Sequence, residues 1–484
     1  MNTHFLSIKA LDTPFYHFLA VLLISFLPAT LLNAATPPDL GSSDLIEYNI
    51  ELEQELGRAF TTALHTQYNL NYDPEVVAYI RKIGHEMASQ IGEFRPFRFY
   101  VIDNPSINAF AGPNGVIGIH TGLISAAKSE DELAAVIAHE IAHVTQNHLS
   151  RGHETNSKRS NINTFATLLA AILIGMHDSS AVYPTLIAGM SLDIEQQLKN
   201  SRLHESEADH IGIQFLSQAG YNPHAMSQFF NRLAKASQSN TSQIPEILRS
   251  HPVTERRIAE ADNRAQNLPT HAPKKINNDL TLIQLKLKQK TPSLTNSPSP
   301  LTANEQCYQN ALKKSPPLSK PVNLQCLQTL VKNNPNHILY TTQLLQAVVQ
   351  HHPSPNLIRF ANRQADYLMA LYPKNTALLI HYSNLLLHQN NDEKAIYLLK
   401  THTQNQRYTY QTYKKLSEIY AKKDQTAEAY YFLALAQFNI GNLKRTQYLL
   451  KQAKTSASTN LQQKISLFEH KNGKLLKDKQ ITIP

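Results

Sequence analysis

SEDELAAVIAHEIAHVTQNHLS, running from Ser129 to Ser150, is the stretch that decides the fold of the first half of this chain. Ser129 and Glu132 have the spacing of a capping box, in which two side chains cap backbone N–H groups where a helix begins. The apolar residues that follow recur at helical spacing: Leu133, Val136, Ile137, Ile141 and Val144. The sequence therefore predicts a helix with one face in an apolar core.

Two histidines of this helix have the spacing of a metal site. His139 and His143 are four positions apart and project from the same helical face. Two imidazoles so placed can bind one zinc ion. Glu140 lies beside them, where it can accept a proton from the attacking water. The H-E-x-x-H pattern thus predicts a zinc-dependent peptidase with Glu140 as the general base.

A catalytic zinc ion usually takes three protein ligands and leaves one position open. His148 is a tempting third ligand, but the metzincin pattern places its third histidine at position 149, which is Leu149 here. The metzincins are therefore an unlikely family for this chain.

A better third ligand lies 62 residues after His143, in the segment SRLHESEADHIG. Glu205 and Asp209 are four positions apart there and share a helical face. Glu205 is predicted to complete the zinc site, and Asp209 to accept the free N–H of a zinc-binding histidine. The flanking histidines, His204 and His210, are expected at the surface.

A small sheet is predicted before the zinc helix. Phe97, Phe99 and Val101 alternate with more polar neighbours, as a half-buried strand does. Asn114-Gly115 is a hairpin signal between the segments 108–111 and 116–119. The hairpin either binds an extended substrate at its edge, beside the metal, or is structural. Both interpretations stay open at this point.

HEIAH followed by ESEAD resembles the zinc metallopeptidase family that includes HtpX and the CAAX prenyl proteases. Two further segments carry the resemblance, INAFAGPNGVIGIHTGL before the zinc helix and SHPVTERRIAEA after ESEAD. The resemblance implies an α+β zincin-type domain, mainly helical with a small sheet. It also implies one zinc ion on His139, His143 and Glu205, with Glu140 and Asp209 as catalytic residues. Prenyl-protein proteolysis is excluded because that branch buries its site among several membrane spans.

The resemblance also gives His251 and Arg257 possible roles. In exported members of the family, the histidine matched by His251 can occupy the fourth zinc position and hold the enzyme latent; the alternative is a helix cap before Pro252. Arg257 either stabilises the oxyanion or pairs with Asp209 or Glu205. These alternatives are left open.

The second half of the chain has a different composition and a repeat. Residues 1–273 contain 18 Lys and Arg against 27 Asp and Glu, a net charge of −9, whereas residues 274–484 contain 28 against 10, a net charge of +18. Three pairs of apolar residues are 34 positions apart, which is the tetratricopeptide period: Tyr382 and Leu416, Leu386 and Tyr420, Ala395 and Ala429. The second half therefore resembles an all-α tetratricopeptide superhelix.

The predicted organisation has five parts: a signal peptide at 1–34, the protease domain at 35–267, a Pro/Ser/Lys linker at 268–303, the repeats at 304–470 and a basic tail at 471–484. The linker is expected to contain one short element at 280–287. Lys9, a short apolar run and Ala34-Ala35 are typical of a cleaved secretory signal, with an uncleaved anchor as the alternative. The mature chain is then expected in the periplasm of a Gram-negative bacterium.

Two further predictions concern a pair of cysteines and an apolar stretch. Cys307 and Cys326 are expected to form a disulfide, because an oxidising compartment favours it. The apolar stretch 165–192 is either a pair of buried or flap helices or a segment that contacts a membrane surface or a hydrophobic client.

These observations predict an exported zinc metalloendopeptidase with chaperone-like activity. By resemblance, its clients are misfolded or assembling outer-membrane β-barrel proteins, and the repeats dock on their assembly machinery. The alternative is a tetratricopeptide scaffold or chaperone whose protease site is mostly latent. The basic half contains no recognisable nucleic-acid motif, so a nucleic-acid partner is not expected.

Overall fold

A computed structural model describes residues 50–477, apart from 94, 150, 152–193, 240–244, 270–277, 291–299, 313–323, 352 and 405–408. The predicted signal peptide and the 165–192 segment lie outside these residues. All the described residues belong to one compact unit that begins at Ile50. Among the helices of the described ranges, none is both long and apolar enough to cross a membrane.

The first half is mainly helical, with three short strands. Its helices are α1 Ile50–Gln67, α2 Pro74–Gln90, α3 Thr121–Ala126, α4 Glu130–Thr145, α5 Ile194–Gln218, α6 Ala225–Ser239, α7 Glu246–Ser250 and α8 Glu255–Gln266. Its strands are β1 Arg98–Ile102, β2 Ala109–Ala111 and β3 Val116–His120. The mainly helical α+β class predicted from the sequence is confirmed.

The strands form one sheet in the order β1-β3-β2. β1 runs parallel to β3, with Arg98 opposite Val116, and β2 pairs antiparallel with β3. A tight turn at Pro113–Gly115 joins β2 and β3, and its residues Asn114 and Gly115 have φ values of 55° and 70°. Asn and Gly adopt this left-handed conformation most readily, which explains the hairpin signal. β2 is an edge strand of this sheet.

The helix predicted to carry two zinc ligands, α4, forms as its sequence predicts. The Ser129 side chain accepts a hydrogen bond from the Glu132 backbone N–H at 3.2 Å, and the Glu132 carboxylate accepts one from the Lys128 backbone N–H at 2.7 Å. These bonds cap backbone groups that a helix start leaves unpaired. Nearly every residue from Glu132 to Val144 is buried. The helix is therefore held on most sides by protein rather than lying on the surface.

The predicted linker contains a packed helix, α9, which spans Asp279–Lys290. The sequence allowed one short element at 280–287, and this helix is longer at both ends. Its buried apolar residues belong to the main core: Leu280, Leu282, Ile283, Leu285 and Leu287. This core continues from α2 into the second half as far as Ala395.

Lys286 of α9 takes part in a buried charged cluster. Its Nζ lies 2.6 Å from Glu75 Oε2 and 3.1 Å from Asp73 Oδ1. His381 Nε2, from the second half, lies 2.8 Å from Glu75 Oε1. We call Asp73, Glu75, Lys286 and His381 the seam cluster, because it joins the first half, α9 and the second half.

The second half is helical throughout its described residues. Its helices after α9 are α10 Ala303–Leu312, α11 Leu324–Asn333, α12 Ile338–His351, α13 Pro355–Leu371, α14 Thr376–His388, α15 Asp392–Gln404, α16 Tyr410–Lys422, α17 Thr426–Asn439, α18 Leu443–Lys454, α19 Thr459–Lys471 and α20 Gly473–Lys477. The disulfide predicted between Cys307 and Cys326 is present and joins α10 to α11.

The 34-residue period corresponds to successive helix pairs. Tyr382 and Leu386 lie on α14, and their counterparts Leu416 and Tyr420 lie on α16. All four side chains are buried, as are Ala395 of α15 and Ala429 of α17. The repeat positions seen in the sequence are therefore the positions at which consecutive pairs pack.

Candidate metal centre

Helices α4 and α5 carry the predicted zinc ligands and lie against each other. Gly212 of α5 permits this approach: a Cβ at that position would stand 3.2 Å from the backbone nitrogen of His139 and 3.1 Å from Met226 Cε. A larger residue would push α5 away from the helix that holds both histidines.

Three of the predicted ligands converge. His139 Nε2 and His143 Nε2 are 3.0 Å apart. Glu205 places Oε2 3.4 Å from His139 Nε2 and Oε1 3.4 Å from His143 Nε2. The spacing of four residues on α4 and the position of Glu205 on α5 together bring the three side chains to one point.

His251, at the end of α7, joins the same set. Its Nδ1 lies 3.0 and 3.1 Å from the two Glu205 oxygens and 3.3 Å from His139 Nε2. One ligand atom from each of His139, His143, Glu205 and His251 lies within 4.8 Å of the others. Imidazole nitrogens with one carboxylate are donors that zinc binds.

The charges around this set also fit a cation. Glu140, Glu205 and Asp209 are all buried, with 0%, 5% and 1% exposure. The buried guanidinium of Arg257 is shared by two of these carboxylates. Buried carboxylates are stable only when nearby positive charge compensates them. A divalent cation among the four donors supplies that charge, so the residues fit a metal ion.

Glu140 lies next to His251, with Oε1 3.6 Å from His251 Nε2. Burial raises the pKa of Glu140, and this outweighs the opposite effect of His251 and His139. A carboxylate with a raised pKa is a stronger base than an exposed one. Glu140 therefore has the position and the basicity needed for accepting a proton beside the metal ligands.

Asp209 and Arg257 hold the far side of His139. Asp209 Oδ1 lies 2.9 Å from His139 Nδ1, and Arg257 donates to both Asp209 oxygens, at 2.7 and 2.9 Å. Arg257 Nη1 also lies 3.0 Å from Glu205 Oε2 and donates to the Pro252 carbonyl at 2.7 Å. In this structure Arg257 therefore pairs with both carboxylates.

The two histidines of α4, His139 and His143, have opposite pKa shifts. Burial lowers the pKa of His139, but hydrogen bonds with Asp209 and Glu205 outweigh it and raise the pKa to about 10. Burial and the charge of His139 lower the pKa of His143 to about 3. Burial would raise the pKa of Glu205, but His251 and the hydrogen bonds from the other histidines hold it well below its usual range. Metal binding must therefore displace the proton of His139.

The sequence did not reveal the role of His148. It is buried, and its Nδ1 lies 2.8 Å from His143 Nδ1, while its Nε2 lies 3.1 Å from Glu207 Oε2. His204 is half-buried and stacks on His148 with ring centroids 4.5 Å apart, whereas His210 is exposed as expected. The one indication in the sequence was a third acidic residue, Glu207, two positions after Glu205 and two before Asp209, which could pair with a histidine near the site.

Comparison with known proteins agrees with this geometry. Residues 74–265 match the sequence profile of peptidase family M48. The family resemblance noted from the sequence is thereby confirmed, and α2 to α8 with the sheet make up the matching part.

The relatives match about half of this chain or less. The putative beta-barrel assembly-enhancing protease of Vibrio cholerae is 37% identical over 233 residues, 48% of each chain. The beta-barrel assembly-enhancing protease of Escherichia coli is 36% identical over 242 residues, 50% of this chain and 49% of that one. The mitochondrial metalloendopeptidase OMA1 of Arabidopsis thaliana is 32% identical over 157 residues, 32% and 29% of the two chains. The chain spans about half the length of the curated relatives it matches most extensively.

Proposed function

We propose that this protein is a zinc-dependent metalloendopeptidase that holds one zinc ion on His139, His143 and Glu205. The observation that carries the proposal is the convergence of these donors with His251, with the buried carboxylate of Glu140 beside them. The family of residues 74–265 and the names of the relatives support it.

In this proposal the chain's own residues prepare peptide-bond hydrolysis. Zinc, when bound, supplies Lewis acidity that polarises the scissile carbonyl and activates water. Glu140 accepts the proton of the attacking water and delivers it to the leaving nitrogen. Asp209 keeps His139 oriented with Nε2 toward the metal, and Arg257 keeps Asp209 charged. The edge strand β2 can align an extended substrate by backbone hydrogen bonds, because β2 packs against α4.

His251 is proposed to restrain this enzyme. Its imidazole is aimed at the same point as the three ligands, so it would take the fourth coordination position, which a catalytic metal keeps for water or substrate. While His251 holds that position, Glu140 has no water to deprotonate. Cleavage then requires the segment after α7 to move, so the His251→Ala protein should keep its zinc and cleave an unfolded client faster.

The substrates are proposed to be misfolded or assembling outer-membrane β-barrel proteins, in the periplasm of a Gram-negative bacterium. This follows from the relatives named beta-barrel assembly-enhancing proteases, from the predicted signal peptide and from the Cys307–Cys326 disulfide. The second half is proposed to be a tetratricopeptide domain that docks on the assembly machinery, supported by its 34-residue helix pairs.

The Glu140→Gln variant tests the enzyme. It keeps the ligands and the size of the side chain but removes the base. Hydrolysis of a purified, unfolded β-barrel protein should fall about 10²- to 10⁴-fold, with zinc content unchanged. In cells, the same variant should let misfolded β-barrel proteins accumulate; their disappearance at the normal rate would assign degradation to another protease.

A scaffold or chaperone function is the second candidate, and the position of His251 among the ligands favours it. In that case the protease site is mostly latent and the helical half provides the scaffold or chaperone activity. Cells with the Glu140→Gln variant would then still assemble β-barrel proteins normally, whereas cells without the protein would not.

A further inference from the structure

The helical half contains a cavity of about 490 Å³ between α12, α14 and α16. Each of these is the first helix of a consecutive pair, so the cavity lies along one row of the array. Its lining residues are Gln346, Val349, Gln350, His381, Asn384, Leu387, His388, Lys415 and Lys422. The described residues that line it include two lysines and two histidines and no acidic side chain.

The basic lining residues are related by the repeat. Lys415 follows His381 by 34 positions, and Lys422 follows His388 by 34 positions. Within each helix the two residues are seven apart, which places them on one face about 10 Å from each other, at 1.5 Å per residue. The repeat therefore places a pair of lysines on α16 beside a pair of histidines on α14 along one cavity. Because His381 is already paired with Glu75, the two lysines are the basic groups that face an incoming anion.

The chemistry of the cavity fits an anion of peptide character. The Lys415 side chain is 20% exposed, and burial lowers its pKa despite the nearby Glu418. A nearby anion favours the charged form of such a lysine. The amides of Gln346, Gln350 and Asn384 can hydrogen-bond a peptide backbone, and Val349 and Leu387 offer apolar contact.

We propose that this cavity binds an acidic, extended protein segment whose carboxylates are about three residues apart. Three residues of an extended polyproline II segment span about 9 Å and bring the side chain back to the same side of the chain, which matches the roughly 10 Å between Lys415 and Lys422. That this segment belongs to a protein client or an assembly partner rests on the proposed function. His381 also pairs with Glu75 of the M48 domain, so the occupied cavity borders the contact between the two halves.

Fluorescence anisotropy with the purified full chain tests this site. The probe is fluorescein-Gly-Asp-Ser-Thr-Asp-Ser-Gly, and the comparison peptide carries Asn for both Asp. The acidic probe should bind, more weakly as salt rises, and Lys415→Gln with Lys422→Gln should weaken it about tenfold or more. The control pair, Lys444→Gln with Lys451→Gln, removes two exposed charges of α18 outside the cavity and should leave binding unchanged.

Two results would overturn the proposal. One is equal binding of the Asn peptide or equal loss in both double variants, since the charge would then act nonspecifically. The other is failure of the peptide to bind while phosphatidylglycerol vesicles bind through Lys415 and Lys422, which would make the cavity a lipid site. The binding measurement needs neither zinc nor proteolysis. If the protein cleaves its substrate but does not bind the probe, this proposal is wrong and the proposed peptidase function still stands.

A second inference concerns His143 and comes from a different contact. His148 lies just beyond α4, after Asn147, whose φ of 54° turns the chain back toward the helix. Arg95 donates to the Asn147 side chain at 2.9 Å and supports this turn. The turn buries His148 between His143 and α5. Glu207 of α5 then accepts from His148 Nε2 at 3.1 Å and from Arg151 at 2.9 Å.

We infer that His148 and Glu207 are positioning residues that fix the tautomer of His143. Glu207 is an acceptor, so the proton of neutral His148 lies on Nε2 and leaves Nδ1 as an acceptor. His148 Nδ1 then accepts from His143 Nδ1–H over 2.8 Å. The Nε2 lone pair of His143 is thereby directed to the metal point, as Asp209 directs that of His139.

Zinc affinity, measured by competition with a chromogenic chelator, tests this assignment without any proteolysis. His148→Leu should weaken zinc binding about 10- to 100-fold. His148→Asn should restore most of the affinity, because its side-chain oxygen can replace the Nδ1 acceptor. The control His204→Gln removes the ring that stacks on His148 but no hydrogen bond to His143, and should bind zinc like the wild type.

A merely structural role predicts a different pattern. His148→Asn also loses the bond to Glu207 and the stacking, so it would then bind zinc as poorly as His148→Leu. Wild-type affinity in His148→Leu would likewise overturn the inference. The absorption spectrum of the cobalt-substituted protein adds a check, because it should change in His148→Leu and not in His204→Gln.

Discussion

The candidate metal centre, formed by His139, His143, Glu205 and His251, and the seam cluster both combine carboxylates with histidine, yet their atoms are directed differently. At the candidate metal centre, four donor atoms from α4, α5 and the end of α7 lie within 4.8 Å of one another. In the seam cluster, Lys286 and His381 point their donors at Glu75 and Asp73, with distances of 2.6 to 3.1 Å. The positive and negative side chains of the seam cluster therefore pair with one another, whereas the candidate metal centre leaves donor atoms facing a common point.

The direction of the donor atoms therefore distinguishes a buried charged cluster that holds the fold together from one that can bind a ligand. A cluster whose cations already pair its carboxylates holds elements together, here α2, α9 and α14. A cluster whose lone pairs converge is stabilised further by an added cation. The predictions below test this contrast.

The largest expected effect is the loss of metal. Purified wild-type protein should contain about one zinc ion per chain, and His139→Ala, His143→Ala or Glu205→Ala should reduce this to nearly none, because three protein ligands are needed. Elemental analysis after dialysis measures it. Full zinc retention by Glu205→Ala would remove that residue from the ligand set.

The second prediction concerns Lys286→Met, which leaves Glu75 and Asp73 without their buried cation. The free energy of unfolding should fall by about 3–5 kcal/mol in urea titrations, with zinc still bound in the native state. The matched control is Lys82→Met, which breaks a partly exposed 3.8 Å pair between α2 and α9 and should cost at most about 1 kcal/mol. Equal losses in the two variants would mean that the seam cluster is no stronger than a surface pair.

The third prediction concerns Asp209→Asn. The amide can present its N–H rather than its oxygen to His139, and it no longer matches the charge of Arg257. Zinc affinity should weaken about 10- to 100-fold while the ligands stay in place. Chelator competition measures it. Glu260→Gln, which changes an acid on α8 that pairs with Arg256 and lies outside the ligand set, should leave the affinity unchanged.

The smallest expected effect is a pH dependence in the seam cluster. Burial would raise the pKa of Glu75, but His381 and Lys286 hold it well below the usual 4.5. A depressed pKa in the folded state stabilises the protein above pH 4.5, and this contribution is lost as the pH falls toward the folded value. The wild type should therefore exceed Glu75→Gln in unfolding free energy by about 1–2 kcal/mol near pH 7.

This advantage should shrink in urea titrations below pH 4.5, since a protonated Glu75 resembles Gln. Asp279→Asn is the control, because it changes an acid of the partly exposed pair, and its difference from the wild type near pH 7 should be at most about 1 kcal/mol. A constant difference between wild type and Glu75→Gln down to pH 3 would contradict a depressed pKa.

Several features were predictable because they depend on neighbours within a few positions. The cap at Ser129, the buried face of α4 and the left-handed turn at Asn114-Gly115 follow from local backbone chemistry. The 34-residue period predicted which residues of α14 and α16 pack. The convergence of His139 and His143 follows from the pitch of one helix.

Other features required the packed chain. The position of His251 beside Glu205, 46 residues earlier, was expected by resemblance, but the contact itself depends on how α7 ends. His148 was considered in the sequence only as a third zinc ligand, and the turn at Asn147 instead buries it against His143. Glu75 and His381 are 306 positions apart, and nothing local in either segment indicates their pairing.

Local rules were therefore enough to predict the capped helix α4, the donor types of the candidate metal centre and the 34-residue period, because helix pitch and metal chemistry act over short spacings. The tertiary structure alone decided that a predicted linker supplies a core helix, that Arg257 pairs with two carboxylates and that His381 meets Glu75. The physical reason is that such contacts depend on which buried surfaces meet, and burial of a charge is favourable only where folding brings its partner within hydrogen-bond distance.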